Sequence, residues 1–182
     1  MKRLLLSVTL MTVLATLMIG TAGYAKDLAC PSDCEGGKNI DGTDESDNIK
    51  GNDDPNLING KGGDDVIHGY GGADVIHGNE GNDRLYGDEG NDKLVGGNND
   101  DTLYGGAGND RLLDGEFNNT DYTPQPDDTD KLYGGDGDDY LDAWDKDPRD
   151  LLDGGADTDT CDGDPGDDYQ SCETINRITP AG

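Results

Sequence analysis

The chain has 182 residues, 30 of them glycine, and 41 acidic side chains against 13 basic ones give it a formal charge of −28. Hydrophobic residues make up only 31%, too few at that charge for an ordinary self-sufficient core, so the chain stays loose until something supplies positive charge. The same charge excludes nucleic acid and anionic membrane as partners.

Residues 1–25 read as a secretory signal peptide. Met1-Lys2-Arg3 is a positive n-region, Leu4 to Ile19 is uncharged and mostly apolar, and Gly23-Tyr24-Ala25 offers small residues for cleavage after Ala25. The apolar run is short for a membrane span. Asp27 sits where a lipoprotein signal needs an aliphatic residue. Loss of Lys2 and Arg3 takes the mature charge to −30. The expected location is therefore secreted, where cysteines pair. Residues 26–41 form an N-terminal cap holding Cys30 and Cys34; Cys161 and Cys172 stand near the other end. Of three connectivities, local pairing of Cys30 with Cys34 and of Cys161 with Cys172 is expected, stapling both ends. Zinc is the alternative, but it would need the distant ends to meet.

From Gly42 a nine-residue unit repeats without a gap to Leu113. Copies begin at Gly42, Gly51, Gly60, Gly69, Gly78, Gly87, Gly96 and Gly105. A loop, 114–124, interrupts them. Irregular copies over 125–173 then begin at Gln125, Gly134, Asp145, Gly154 and Gly163, and residues 174–182 form a tail. Position six is a carboxylate in twelve of thirteen copies, Asn56 being the exception. Position eight runs Ile49, Ile58, Ile67, Ile76, Leu85, Leu94, Leu103, Leu112, Leu132, Leu141, Leu152, Cys161 and Gln170.

This period predicts a short strand at positions seven to nine, with one inward side chain at position eight. Glycine-rich positions one to six form a turn. Two copies complete a coil, and strands eighteen residues apart stack in parallel at ~4.8 Å, giving six or seven coils over about 30 Å. The fold class is all-β: a parallel β-roll, or β-solenoid. One inward aliphatic per nine residues is a thin core, and stacked carboxylates repel. A divalent ion between stacked turns reverses that repulsion by taking carboxylate and backbone carbonyl oxygens. All-oxygen ligation at a flexible loop favours calcium.

The unit Gly-Gly-x-Gly-x-Asp-x-(aliphatic)-x, met in full by GGAGNDRLL (105–113) and GGDGDDYLD (134–142), resembles the RTX, or haemolysin-type, calcium-binding nonapeptide over about residues 42–171. The resemblance implies calcium between turns on both edges of the roll and a chain that folds on several ions after export. It implies ligands at Asp47, Asp65, Asp74, Asp83, Asp92, Asp101, Asp110, Asp130, Asp139, Asp159 and Asp168. Backbone at Gly60, Gly62, Gly69, Gly71, Gly78, Gly87, Gly96 and Gly105 would join them. Aspartates eighteen apart share an ion, as Asp65 with Asp83 and Asp74 with Asp92. The pattern is broken at position four by Glu45, Asp54, Asn99, Asp128, Pro148 and Asp157, and at position one by Gln125 and Asp145.

Other constellations carry less. His68 and His77 fall on opposite sheets of a roll and read as surface residues, and there is no HExxH motif. Asp pairs such as Asp64-Asp65 recur with the repeat, as a catalytic pair would not. The stretch 157–168 fails a thrombospondin-like calcium loop because Thr158 and Thr160 fall at ligand places. The loop holds Phe117 and an Asn118-Asn119-Thr120 sequon, and Trp144 lies at the second slip. His68, Tyr86, Tyr104 and Tyr133 align at position nine of one sheet, an outward aromatic ladder with Arg84 and Lys131 beside it. It reads as cross-strand stabilisation or as a contact face for glycan, cell surface or matrix protein. The expected protein is a non-enzymatic, secreted calcium-binding roll with a structural or adhesive role. A calcium buffer and the calcium-folding module of a secreted hydrolase or toxin are the rivals.

Overall fold

The computed structural model describes residues 27–29, 39–115, 128–145 and 149–177, which hold strands and turns and no helix. The signal peptide, Cys30, Cys34, the body of the 114–124 loop and residues 178–182 lie outside the described residues. One sheet holds β1 (Asp27–Ala29), β3 (Asn48–Asn52), β5 (Val66–Gly71), β7 (Arg84–Glu89), β9 (Thr102–Ala107), β11 (Lys131–Asp136), β13 (Leu151–Ala156) and β15 (Asp168–Gln170), in that order. The other holds β2 (Asn39–Asp41), β4 (Leu57–Gly62), β6 (Val75–Glu80), β8 (Lys93–Asn98), β10 (Arg111–Leu113), β12 (Tyr140–Ala143), β14 (Thr160–Gly163) and β16 (Thr174–Arg177). Every pairing is parallel, and successive strands alternate between sheets. This is the β-roll the nine-residue period predicts.

The strands are longer than the repeat predicts. Regular ones run six residues, from position seven through position three of the next copy, leaving only positions four to six for the turn. The reason is the glycine at position one. In β5 both Ile67 and Gly69 face inward, because a residue without a side chain can lie against the interior. Three places per copy therefore point in: the position-six aspartate, the position-eight aliphatic and the position-one glycine. Ile49, Ile67, Leu85, Leu103, Leu132 and Leu152 from one sheet and Ile58, Ile76, Leu94, Leu112 and Leu141 from the other form one fully buried cluster.

The roll also extends past both expected limits. β1 and β2 pair with β3 and β4, so the segment expected as a cap contributes strands to the first coil. β16, in the expected tail, pairs with β14 and sets Ile175 opposite Cys161. Cys161 occupies a position-eight place in the core and is bonded to Cys172, as local pairing requires.

Three placements differ from the sequence register. The last turn is one residue short, so Leu152 pairs with Tyr169 rather than Gln170, and the position-six place falls to buried Asp167 while Asp168 is exposed. The two-residue slip lies inside a turn. Ala143, in register with Gly163 and fully buried, therefore takes position one, not Asp145. Likewise Asp114 closes β10 at position one, bonded to Gly97 and Asp142, before the loop departs. These substitutions obey one rule. In a nine-residue copy a Cβ at position one would collide with the position-six side chain five residues on, as at Gly69 with Asp74. The non-glycine occupants Asp114 and Ala143 stand where the following turn is longer, by eleven and by two residues, and Ser171 stands in the disulfide-closed last coil, where no position-six residue follows five places on.

Candidate metal-binding edges

The turns line two edges of the roll. One carries Asp47, Asp65, Asp83, Asp101, Asp130, Asp150 and Asp167; the other carries Asn56, Asp74, Asp92, Asp110, Asp139 and Asp159. All are buried. Their shared hydrogen bond fixes them. From Asp65 and Asp74 onward, Oδ1 of each aspartate accepts the backbone N–H of the position-six residue one coil earlier: Asp65 from Asp47 at 2.7 Å, Asp83 from Asp65 at 2.7 Å, Asp92 from Asp74 at 2.8 Å and Asp101 from Asp83 at 2.8 Å. The same bond crosses the long insertion, Asp130 accepting from Asp101 at 2.7 Å.

The second oxygen has no such partner. Oδ2 of Asp65, Asp74, Asp83, Asp92, Asp101, Asp110, Asp139, Asp150 and Asp159 is buried and accepts no hydrogen bond. A buried carboxylate oxygen left unpaired is costly, and here the pattern recurs with the coil. In all but Asp150, which follows Ala143, this oxygen is aimed at the place where the position-one glycine lacks a Cβ, and at Gly60, Gly69, Gly78, Gly87, Gly105 and Gly134 the carbonyl oxygen of the glycine one coil on faces the same place. Beside Gly78, for example, Oδ2 of Asp83 converges with the Gly96 carbonyl, which stands 2.8 Å from an ideal Cβ.

The electrostatics agree. Burial pushes Asp83 up to about 8, and the charges of Asp65 and Asp64 add to it against the single Asp65 N–H. Burial likewise lifts Asp65 and Asp74 to about 6, Asp110 to about 7 and Asp150 to about 9. Asp101 is raised well above the usual carboxylate range by burial and by its stacked neighbours Asp130 and Asp83. Such a row needs protons or cations. Among the described residues no group of three or more His, Cys, Asp or Glu side chains closes on a metal. The carboxylates are spaced one per coil, so a cation held here takes its remaining oxygens from backbone carbonyls. That donor set is all oxygen and fits a hard cation of calcium type.

The turn backbone is tuned to the same end. Positions two and four both adopt left-handed φ in the copies beginning at Gly60, Gly69, Gly78, Gly87, Gly96, Gly105, Gly134 and Gly154. Non-glycine residues accept it at Lys61 (84°), Tyr70 (76°), Asn79 (84°) and Asp88 (72°), and at the position-four residues Asn99 (79°) and Asp157 (82°). Strain sustained through consecutive copies marks a functional turn. Those eight copies carry eight of the nine unpartnered oxygens.

Of the implied ligands, Asp65, Asp74, Asp83, Asp92, Asp101, Asp110, Asp139 and Asp159 lie on these edges in the same geometry. Asp130 shares their Oδ1 bond. Asp168 is displaced by Asp167. Asp47 has its Oδ2 filled by Thr43. Asp150, outside the expected ligand set, joins the row. Glu173 was unreadable as a position-six equivalent because the disulfide-closed last coil spans only 14 residues; its Oε2 accepts the Asp159 N–H at 2.8 Å.

The aromatic ladder is present as expected. Ring centroids are 4.3 Å apart for His68 and Tyr86, 4.9 Å for Tyr86 and Tyr104, and 5.0 Å for Tyr104 and Tyr133, all within 8° of parallel. His68 also holds Asp88 through Nδ1 at 3.1 Å. His77 lies on the opposite sheet. The rings occupy each other's faces, so they offer edges and hydroxyls outward, not the flat faces that a sugar ring stacks on.

The sequence profile of the RTX calcium-binding nonapeptide repeat matches the chain in four stretches, residues 41–76, 77–112, 127–145 and 149–170. No curated protein and no solved structure matches the chain.

Proposed function

The chain belongs to the RTX calcium-binding nonapeptide repeat family, and from that premise we propose that it is a secreted, non-catalytic protein whose roll folds around several calcium ions outside the cell. The observation that carries this is the row of nine buried carboxylate oxygens without a hydrogen-bond partner. Calcium supplies the counter-charge they lack; the aspartates fix its place along the edge, and the left-handed turns turn backbone oxygens toward it. In millimolar extracellular calcium the roll is closed, and where calcium is scarce it is loose. The Cys161–Cys172 bridge in the core suits an oxidising location. No helix among the described residues is long and apolar enough to cross a membrane.

The role is structural, with adhesion to a surface or matrix protein as its use. Burial of the ligands inside the turns favours a folding role over simple calcium buffering. The stacked ladder stabilises the sheet, and its outward hydroxyls favour a protein partner over a glycan. Two measurements test the reading. Limited proteolysis in millimolar calcium should leave the roll intact, whereas excess chelator should expose it throughout; equal resistance in both refutes calcium-dependent folding. A Tyr86→Ser/Tyr104→Ser variant that still folds with calcium should lose binding to matrix or cell surface; unchanged binding removes the adhesive role from this face.

A further inference from the structure

We propose that the calcium row is closed at its ends by turns that have replaced the ion with hydrogen bonds of their own, so that the turns 42–47, 51–56 and 163–167 take no calcium. This rests on the calcium reading above and goes beyond it, since the repeat alone assigns these copies the same role as the others.

At the start of one edge, Oδ2 of Asp47 accepts the backbone N–H of Thr43 at 2.6 Å and its hydroxyl at 2.9 Å. At the start of the other, Asn56 stands in for aspartate. Its Oδ1 accepts the Asn52 N–H at 2.9 Å, and its Nδ2 donates to the Asn52 side chain at 3.0 Å. At the far end, Oδ2 of Asp167 accepts the Asp164 N–H at 2.6 Å inside the shortened turn. The backbone also sets the two N-terminal turns apart, while the turn at 163–167 keeps Gly166 left-handed (135°) and differs by its missing residue. Thr43, Glu45, Asn52 and Asp54 hold positions two and four without left-handed φ, unlike every regular turn between them and Gly154. In all three turns the position-two residue, Thr43, Asn52 or Asp164, leaves the left-handed region and its own N–H reaches the position-six oxygen. A carboxylate oxygen already held by a short internal bond is turned into its own loop and offers a cation fewer lone pairs than an unpartnered one. Asn56 further lacks the charge. The residues that broke the repeat pattern at position four, Glu45 and Asp54, thus mark a different turn and not a weakened calcium site.

The test counts bound calcium per full-length chain by native mass spectrometry and titration calorimetry. Asp47→Asn and Asp167→Asn should hold the wild-type number of ions, whereas Asp83→Asn and Asp92→Asn should each lose at least one. A lower count in Asp47→Asn or Asp167→Asn, equal to that of Asp83→Asn, overturns the inference. If Asp47→Asn does not fold, Thr43→Val removes only the hydroxyl bond. It should lower the melting temperature in calcium without changing the count, and a changed count overturns the inference. Wild-type protein that binds no calcium at all fails the family-based reading instead, so the two failures are distinct.

Discussion

Replacing Asp83 with Asn should move stability in opposite directions with and without calcium. Asn keeps the Oδ1 acceptor that Asp65 N–H uses at 2.7 Å, and it puts an amide where the unpartnered Oδ2 faces the Gly96 carbonyl. In the cation-free fold the Asp83 carboxyl is raised from 3.8 to about 8. A carboxyl raised on folding favours the fold fully only below its unfolded pKa, and that support is lost as pH rises toward the folded value. At pH 7 the difference of about three units corresponds to roughly 4 kcal/mol, an upper limit on what Asn recovers. Spread over a domain of this size, 1 kcal/mol shifts the melting temperature by about 2–4 °C. Far-UV circular dichroism in chelator should therefore show Asp83→Asn more structured than wild type, with a melting temperature higher by at most about 8–16 °C. In saturating calcium the same variant should melt below wild type, because a ligand charge has gone. A variant destabilised in chelator and indifferent to calcium refutes the assignment of this oxygen to a cation.

Other perturbations follow from the same geometry. Gly78→Ala would push a Cβ onto the Asp83 carboxylate and to 2.8 Å from the Gly96 carbonyl; it should cost about 1–3 kcal/mol as overpacking, whereas Ala143→Gly should cost no more than about 1 kcal/mol, both read from thermal melts in calcium. Leu103→Ala, at a fully buried place in the core between the two sheets, should cost about 2–5 kcal/mol while leaving the calcium count unchanged. Calcium-free protein should gain strand signal as pH falls from about 9 through 6 toward 4, because Asp150, Asp83 and Asp65 take up protons in the fold before they do in the unfolded chain; a loss of structure on acidification across that window would contradict it.

Much of this was legible because the repeat is short. A period of nine with one aspartate and one aliphatic fixes two sheets, an eighteen-residue coil and the alignment of His68 with Tyr86, Tyr104 and Tyr133, all of which the structure shows. What escaped lay where the count of residues changes. The turn before Asp167 is one residue short, and the disulfide-closed coil before Glu173 is four short of eighteen; a fixed nine-residue frame cannot follow either. Ala143 and Asp114 at position one are visible only once the glycine collision shows why longer turns release that place. The inward glycine itself was hidden because glycine reads as turn, yet here it serves the strand by making room for a carboxylate.

The most direct measurement is far-UV circular dichroism of the disulfide-bonded chain, titrated with calcium from excess chelator at neutral pH. The structure predicts little strand signal in chelator and a cooperative gain on calcium addition, with several ions bound per chain. Equal strand content before and after the titration would contradict the account, because it would mean the buried aspartate row is stable at neutral pH without a cation.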